Sequence, residues 1–149
     1  MSESAPYCYE YPRPCVTVDA VVFNLEITEV LLIQRKNEPG KGQWALPGGF
    51  IEIDEELEES VARELMEETG IDCPGPWKQV GAYGRVDRDP RGRVIMIAFT
   101  TLLNKDKNCL EAGDDAQDAR WFSLKEIPEM AFDHPDVVKN ALKLQKPDN

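Results

Sequence analysis

One segment holds most of the excess negative charge of this 149-residue chain, and any fold must either neutralise that charge or expose it to water. Residues 49–71 contain eight glutamates and one aspartate against a single arginine, Arg63, whereas the whole chain has 28 acidic residues, 17 basic residues and a net charge of −11. The segment closes with Gly70 and Ile71, and glycine commonly ends a helix. We therefore predict a helix over residues 55–69, preceded by a short strand at residues 44–49 that breaks into a tight turn at its two glycines.

The predicted helix has an apolar side and a strongly acidic side. Its apolar residues fall in one arc and are predicted to face the core; they are Val61, Ala62, Leu65 and Met66. Glu64, Glu67 and Glu68 are then expected to crowd the opposite face near the negative end of the helix dipole, where like charges are destabilising. Such a cluster either is a solvated acidic face or binds a hard divalent cation such as Mg²⁺ or Mn²⁺.

The remaining pattern alternates apolar runs with polar, Gly- and Pro-containing loops and predicts a sheet covered by helices. The first two strands are separated by a short link, which favours an antiparallel hairpin. We predict strands at residues 16–23, 30–35, 77–84, 94–103 and 119–122, loops at 37–43 and 86–93, and a second helix at 136–144.

Length and composition exclude several classes of protein. The chain is long enough for one domain, 1–149, with residues 1–14 as an N-terminal tail. It has no apolar run of membrane-spanning length and no signal-peptide pattern, and its acidic balance argues against binding nucleic acid. Four irregularly spaced cysteines and one histidine argue for reduced thiols rather than a zinc site. We therefore expect a cytoplasmic protein without a membrane or nucleic-acid partner.

The acidic segment matches a known family pattern. From Gly49 to Ile71 it reads GFIEIDEELEESVARELMEETGI, which fits every fixed position of the Nudix box, a Gly, a Glu, an Arg-Glu-Leu, a Glu-Glu and a Gly-Ile at set spacing. The preceding residues 44–48 (WALPG) also resemble this family. The blocks 13–22, 81–98 and 114–141 resemble the bacterial ADP-ribose pyrophosphatase branch of the Nudix hydrolases, so the likeness covers nearly the whole chain.

This resemblance implies an α/β (α+β) fold, namely an α/β/α sandwich with a mixed sheet and the box as a loop–helix–loop. It also implies metal-dependent hydrolysis of a nucleoside diphosphate linked to another group, with ADP-ribose split into AMP and ribose 5-phosphate. Two alternatives remain open: a nucleoside triphosphate pyrophosphohydrolase, including one for oxidised nucleotides, and a non-catalytic ADP-ribose sensor. The sensor is least favoured, because sensing relatives carry a DNA-binding winged helix, whereas this chain ends at Asn149 without a basic extension. ADP-ribose-specific relatives often have a proline where this chain has Val86, which weakens the choice of substrate.

The resemblance also assigns roles within the box. Mg²⁺ or Mn²⁺ is expected to bind the Gly48 carbonyl and the carboxylates of Glu64, Glu67 and Glu68, with Glu64 and Glu68 counted among the catalytic residues. The general base is either Glu64 or an acid in the loop before the last strand, Asp115. The supporting residues are Gly49, Glu55, Arg63 and Gly70, with Arg63 paired to Glu55. Asp54 is expected to cap the helix, because the serine or threonine common in the family is missing.

Residues outside the box are candidates for binding substrate. Arg35, Arg88 and Arg91 could contact phosphate, although loop arginines are commonly solvent-exposed. Trp44 and Tyr83 could stack on adenine, although both could equally be core aromatics. The single histidine, His134, is expected to be structural or capping. A homodimer is implied by the family likeness, with residues 7–14, rich in tyrosine and proline, as the exchanging segment.

Overall fold

The computed structural model describes residues 6–110 and 116–147. Its strands are β1 Cys15–Asn24, β2 Glu29–Arg35, β3 Trp44–Ala45, β4 Gly48–Phe50, β5 Lys78–Tyr83, β6 Val94–Leu103 and β7 Ala116–Ser123. Its helices are α1 Leu57–Thr69 and α2 His134–Gln145, with a 3₁₀ turn at Lys105–Lys107. Over the described ranges, neither helix combines the length and the hydropathy required to cross a membrane.

Strand β1 is the centre of a seven-stranded mixed sheet. It pairs in parallel with β6 along its whole length, and its other edge pairs antiparallel with β2 near Phe23 and with β4 near Asp19. Strand β2 then carries β3 and β7, and β6 carries β5, all antiparallel. The nearly continuous apolar run of β1 suits this central position, because both faces of the strand are covered.

The two helices cover opposite faces of the sheet. Alternate β1 side chains point to opposite sides: Val18, Ala20 and Val22 pack with Val61 and Leu65 of α1. On the other face, Val21 and Phe23 pack with α2 through Val137, Val138 and Ala141. This arrangement is an α/β/α sandwich with a mixed sheet, which confirms the predicted fold.

Most predicted elements are present, with two corrections next to the box. The predicted 94–103 strand has the observed bounds, and the predicted hairpin is β1 and β2. The tight turn predicted at Gly48-Gly49 is wrong, since both glycines lie in β4 and pair with Asp19 and Val18 of β1. The expected Asp54 cap is also wrong: Glu56 caps α1, and its N–H donates to Glu59 Oε1 at 2.9 Å.

The buried face of α1 also differs from the prediction. Met66 is 46% exposed, whereas Glu68 is only 6% exposed and lies on the core side with Val61 and Leu65. Seven residues span about 700° of helix, so Glu68 lies within about 20° of Val61 around the axis. The acidic cluster is therefore divided between the core side and the solvent side, and Glu68 is built into the packing of the helix against the sheet.

Candidate active site

A polar cavity of about 540 Å³ opens between the box and the two segments facing it, the 85–93 loop and the residues before α2. Acidic side chains of α1 form one wall, and arginines from β2 and the loop form another. Its charged lining residues include Asp19, Arg35, Arg63, Glu64, Glu67, Glu68, Arg88 and Arg91. Acidic and basic groups therefore face a single opening that a charged ligand can enter.

The glycines of β4 allow α1 to approach the strand closely. The Gly48 N–H donates to Glu68 Oε1 at 2.8 Å. A Cβ atom on Gly49 would lie 2.5 Å from Glu64 Oε2, so the Glu64 carboxylate lies against the strand backbone. Any side chain at Gly49 would displace this carboxylate, which explains a glycine at this fixed position of the box.

Arg63 ties the loop before α1 to the helix. Its guanidinium donates to both carboxylate oxygens of Glu55, at 2.7 and 2.9 Å, so the predicted pair is present. It also contacts Glu64 at 3.1 Å and Glu67 at 3.3 Å, and it donates to the Phe50 carbonyl at 3.2 Å. A bidentate pair restricts the orientation of both groups, so Arg63 holds two cavity carboxylates at set positions.

The Arg63 contact strongly perturbs Glu55. Hydrogen bonds from Arg63, and secondly from Ser60, lower the pKa of the Glu55 carboxyl to about 2. The same pair raises the pKa of Arg63 above its usual value. Glu55 is therefore an ionised structural anchor throughout the neutral range, and its proton affinity is too low for a general base.

We expect the Glu55–Arg63 pair to stabilise the fold in a pH-dependent way. Because the folded pKa is about 2 and the unfolded value is about 4.3, the contribution is complete above about pH 5 and declines as pH falls toward 2. Urea unfolding of wild type and Glu55→Gln at about pH 7, 5, 4 and 3 measures it. The difference in unfolding free energy between them should shrink as pH falls, and a constant difference would contradict the assignment.

The box residues fit a hard divalent cation by the chemistry of their donors. Glu64, Glu67 and Glu68 line the cavity together with Gly48 and supply only oxygen ligands. Among residues 6–110 and 116–147, no three acidic, histidine or cysteine side chains converge on one point at metal-binding distances. Arg63 contacts Glu64 and Glu67, and the Gly48 N–H donates to Glu68. Asp115, the other candidate base, lies outside the described residues.

Two of the predicted arginines form a cationic side of the cavity. Arg35 Nε donates to the Pro39 carbonyl at 2.6 Å, and Arg91 makes two hydrogen bonds to Asp89, at 3.0 and 2.7 Å. Burial lowers the pKa of Arg35, and the positive charge of Arg91 lowers it further. Burial and the repulsion between the two guanidinium groups both disfavour the Arg35 charge, so an anion bound between Arg35 and Arg91 would be stabilised.

Arg88 has a different setting from an exposed loop arginine. Its side chain is only 5% exposed and makes a bidentate pair with Asp133, at 3.0 and 2.7 Å. The pair joins the 85–93 loop to the start of α2. Arg88 lines the cavity, but its side chain is almost fully enclosed, whereas the Arg91 side chain is 42% exposed; Arg88 therefore acts as a clamp between the two segments.

The aromatic candidates do not lie in the cavity lining. Trp44 packs edge-on against Phe122 with ring centroids 4.7 Å apart, and the Tyr83 hydroxyl accepts a hydrogen bond from Asn140 at 2.8 Å. Sequence reasoning missed the two lining phenylalanines, Phe50 and Phe132. Phe50 is 43% exposed beneath Arg91, with the guanidinium carbon 5.2 Å from the ring centroid. In the sequence, the position of Phe50 directly after Gly48 and Gly49 of the box could have indicated this role.

Phe132 has an unusual backbone conformation. Its φ is +55°, a left-handed conformation that L-residues other than Asn and Asp rarely adopt. The Arg35 guanidinium carbon lies 5.2 Å from its ring centroid, and the His134 ring is 5.5 Å away. Such strain is concentrated at functional sites, and here it belongs to a residue whose side chain lines the cavity.

Asp19 is a further cavity residue that sequence reasoning missed. It is 7% exposed and lies within the apolar run of β1, where a lone aspartate was the signal. Its Oδ2 lies 2.9 Å from Nε2 of His134, which is itself buried at the start of α2. His134 therefore has a structural contact, as expected, but one that reaches the floor of the cavity.

Known proteins share both the sequence pattern and the fold of this chain. The NUDIX domain family model matches residues 13–141. An ADP-ribose pyrophosphatase of Methanocaldococcus jannaschii is 45% identical over 133 residues, which cover 89% of this chain and 76% of the relative. An ADPR responsive transcriptional repressor, NtrR, of Acinetobacter baylyi is 37% identical, but the match covers only 54% of its length.

The fold has a solved counterpart that includes a ligand. The NUDIX domain of Shewanella oneidensis NrtR, solved as a complex with ADP ribose, matches with a TM-score of 0.84 and 32% identity over 94% of each chain. The chain therefore belongs to the Nudix family and is a Nudix hydrolase. Nudix hydrolases generally need divalent metal ions.

Proposed function

We propose that this protein hydrolyses ADP-ribose to AMP and ribose 5-phosphate with Mg²⁺ or Mn²⁺. The observation that carries the proposal is one cavity with the box carboxylates on one side and Arg35 and Arg91 on the other. Its volume of about 540 Å³ is within the usual range for small-molecule sites. The archaeal pyrophosphatase and the ADP-ribose complex of the Shewanella domain support this substrate.

In this mechanism the box residues hold the metal and the arginines hold the substrate. Glu64, Glu67, Glu68 and the Gly48 carbonyl would bind the ion, which when bound neutralises phosphoryl oxygens and lowers the pKa of water. Arg35 and Arg91 bind the diphosphate from the opposite side. Glu64 or Asp115 accepts the proton of the attacking water as the bridging P–O bond breaks.

Phe50 and Phe132 offer flat surfaces for the ends of the substrate. Both line the cavity, and each has a guanidinium group near its ring. They replace Trp44 and Tyr83 in the proposed recognition of adenine. Val86, which stands where ADP-ribose-specific relatives often have proline, is 77% exposed, so this departure leaves the cavity lining unchanged.

Product analysis tests the reaction. Purified protein with Mg²⁺ or Mn²⁺ should convert ADP-ribose to AMP and a sugar phosphate, measured by chromatography and by orthophosphate release after phosphatase treatment. Nucleoside triphosphates, including oxidised ones, should yield pyrophosphate slowly or not at all. Faster pyrophosphate release from a triphosphate than AMP release from ADP-ribose would favour the alternative enzyme.

A sensor of ADP-ribose is the second candidate, because the Acinetobacter relative is a repressor that responds to this ligand. The box residues of this chain favour catalysis, because the carboxylates and the arginine that supports them line or support one cavity. They are Glu55, Glu64, Glu67, Glu68 and Arg63. Calorimetric binding of ADP-ribose without any turnover in the presence of metal would identify a sensor instead.

Metal is expected to stabilise the folded protein. The carboxylates are brought together only in the native state, so an ion that binds them shifts the folding equilibrium toward it. The Tm in millimolar Mg²⁺ or Mn²⁺ should exceed the Tm in EDTA, and Glu68→Gln should reduce the increase. An unchanged Tm in wild type, with or without nucleotide, would contradict the proposed metal site.

We also propose that the active form is a homodimer joined through residues 7–14. Tyr7, Tyr9 and Tyr11 are 58%, 45% and 71% exposed, and exposed aromatics are enriched at interfaces. The Tyr7 and Tyr9 rings are stacked 6.2 Å apart, and Arg13 lies 3.7 Å over Tyr9. A second subunit could complete the wall of each site.

Light scattering at micromolar concentration should give the mass of a dimer. Deletion of residues 2–12 should weaken the dimer by at least tenfold in Kd, since burial of several tyrosines dominates such interfaces. A fully active monomer would contradict the dimer. An equally tight dimer after the deletion would instead remove the N-terminal segment from the interface.

Residues 1–149 would act as one Nudix domain in the cytoplasm. The four cysteines Cys8, Cys15, Cys73 and Cys109 form no disulfide in the described chain, and reduced thiols are usual in that compartment. Cell fractionation with an antibody against the protein tests this location.

A further inference from the structure

A buried side-chain pair connects α2 to β1, at the β1 residue that lies opposite Gly48 of β4. His134, the first residue of α2, is 4% exposed, and its Nε2 lies 2.9 Å from Asp19 Oδ2. On the other side of the ring, the Leu46 N–H donates to Nδ1 at 3.1 Å. Because Nδ1 accepts the Leu46 N–H, the ring proton is assigned to Nε2, the nitrogen that faces the Asp19 carboxylate.

Three polar backbone groups between Leu46 and Gly48 are held by hydrogen bonds. His134 accepts from the Leu46 N–H, the Pro47 carbonyl accepts from the Ala20 N–H at 2.8 Å, and Glu68 accepts from the Gly48 N–H at 2.8 Å. Pro47 has no N–H to donate. Because Leu46 is only 3% exposed, its N–H would be left without a partner if the imidazole were removed.

Asp19 contacts this segment and the imidazole from the side of the sheet. It lies directly opposite Gly48 in the β1–β4 register, and a Cβ atom on Gly48 would overlap its carboxylate. Asp19 thus contacts both the imidazole and the strand backbone that the imidazole holds. Sequence positions 19, 46 and 134 meet at the cavity floor, next to the Glu68 carboxylate bound to Gly48.

We propose that His134, oriented by Asp19, is a positioning residue for the metal site. It fixes Leu46–Gly48 so that the Gly48 backbone and Glu68 keep the positions required to bind a divalent cation. This inference rests on the proposed function in one respect, the role of Gly48 and Glu68 as metal ligands. His134 itself contacts neither metal nor substrate in this role.

Two substitutions at His134 separate its contact with the Leu46 N–H from its contact with Asp19. In His134→Asn the side-chain oxygen stands at the place of Nδ1 and can still accept from the Leu46 N–H. In His134→Gln the amide reaches the place of Nε2 and can donate to Asp19, but the Leu46 N–H loses its acceptor. The readouts are the Mn²⁺ Kd, measured by electron paramagnetic resonance without substrate, and kcat and KM for ADP-ribose at saturating metal.

We expect His134→Gln to raise the Mn²⁺ Kd by about tenfold or more, the usual cost of losing a group that supports a ligand. It should lower kcat with little change in KM, while His134→Asn stays within about threefold of wild type. Val138→Ala is the matched control, since Val138 is a buried α2 residue in the core. It should lower the free energy of unfolding without changing the Mn²⁺ Kd.

Three results would overturn the proposal: a wild-type Mn²⁺ Kd in His134→Gln, an equal loss in His134→Asn, or an equal loss in Val138→Ala. A wild-type protein that binds no Mn²⁺ would overturn it together with the metal site. If wild type binds Mn²⁺, the His134 variants show the expected changes in Mn²⁺ Kd and wild type releases no AMP from ADP-ribose, the proposed substrate alone would be overturned.

Discussion

Replacing Glu68 by glutamine is expected to lower kcat by about a hundredfold or more while the protein stays folded. The amide keeps an oxygen that can accept from the Gly48 N–H, now at 2.8 Å from Glu68 Oε1, so the contact between α1 and β4 survives. The lost negative charge weakens metal binding, and a direct ligand should cost at least as much as a residue that supports one. Turnover at saturating Mg²⁺, with circular dichroism for the fold, measures both effects.

Glu58→Gln is the matched control for this experiment. Glu58 lies in the first turn of the same helix and is exposed, so the same chemical change occurs away from the cavity. Its kcat should equal that of wild type, and its stability should change by less than about 0.5 kcal/mol. If Glu68→Gln retained the wild-type kcat at saturating Mg²⁺, Glu68 would be no metal ligand.

Replacing Gly48 by alanine is expected to destabilise the fold by about 3 kcal/mol. The added Cβ atom would overlap Asp19 Oδ1 and the Val18 carbonyl oxygen, and it would lie 2.8 Å from the Asp19 Cα. Two of these contacts are to backbone atoms of the central strand, which cannot move without disturbing the pairing of β1 with β6. Urea unfolding measures the loss, and residual folded protein should bind Mn²⁺ weakly because β4 is displaced.

Gly84→Ala is the control for the glycine substitution. The nearest atom to a Cβ at Gly84 is Ile95 Cγ1, at the ordinary contact distance of 3.8 Å. Its effect on the free energy of unfolding should be within about 0.5 kcal/mol. A Gly48→Ala protein as stable as Gly84→Ala would show that β4 does not pack against β1 as closely as described.

The sequence alone was sufficient to predict local structure and family. Apolar runs predicted β1, β2 and β6 within two residues of their observed ends, and Gly70 ends α1 with φ +75° as the pattern indicated. The fixed spacing of the box indicated the Nudix family and the Arg63–Glu55 pair. These features depend on neighbours within a few helical turns, which is the range over which propensity, capping and periodicity act.

Other features depend on how distant elements pack, and sequence patterns do not describe that packing. The glycines at 48 and 49 were predicted as a turn, yet they form β4 because β1 offers an edge to pair with. For the same reason the sequence left Trp44 and Tyr83 open between adenine stacking and core packing. The structure packs both against the core and places Phe50 and Phe132 in the cavity lining.

The charged groups show most clearly what only the tertiary structure decided. The sequence by itself placed three carboxylates on one helix and arginines elsewhere, and family likeness assigned them to one site. Docking of α1 on the sheet then buried Glu68 against Gly48, and docking of α2 brought His134 to Leu46, 88 residues earlier in the chain. Such contacts depend on the relative placement of whole elements, for which local sequence patterns carry no signal.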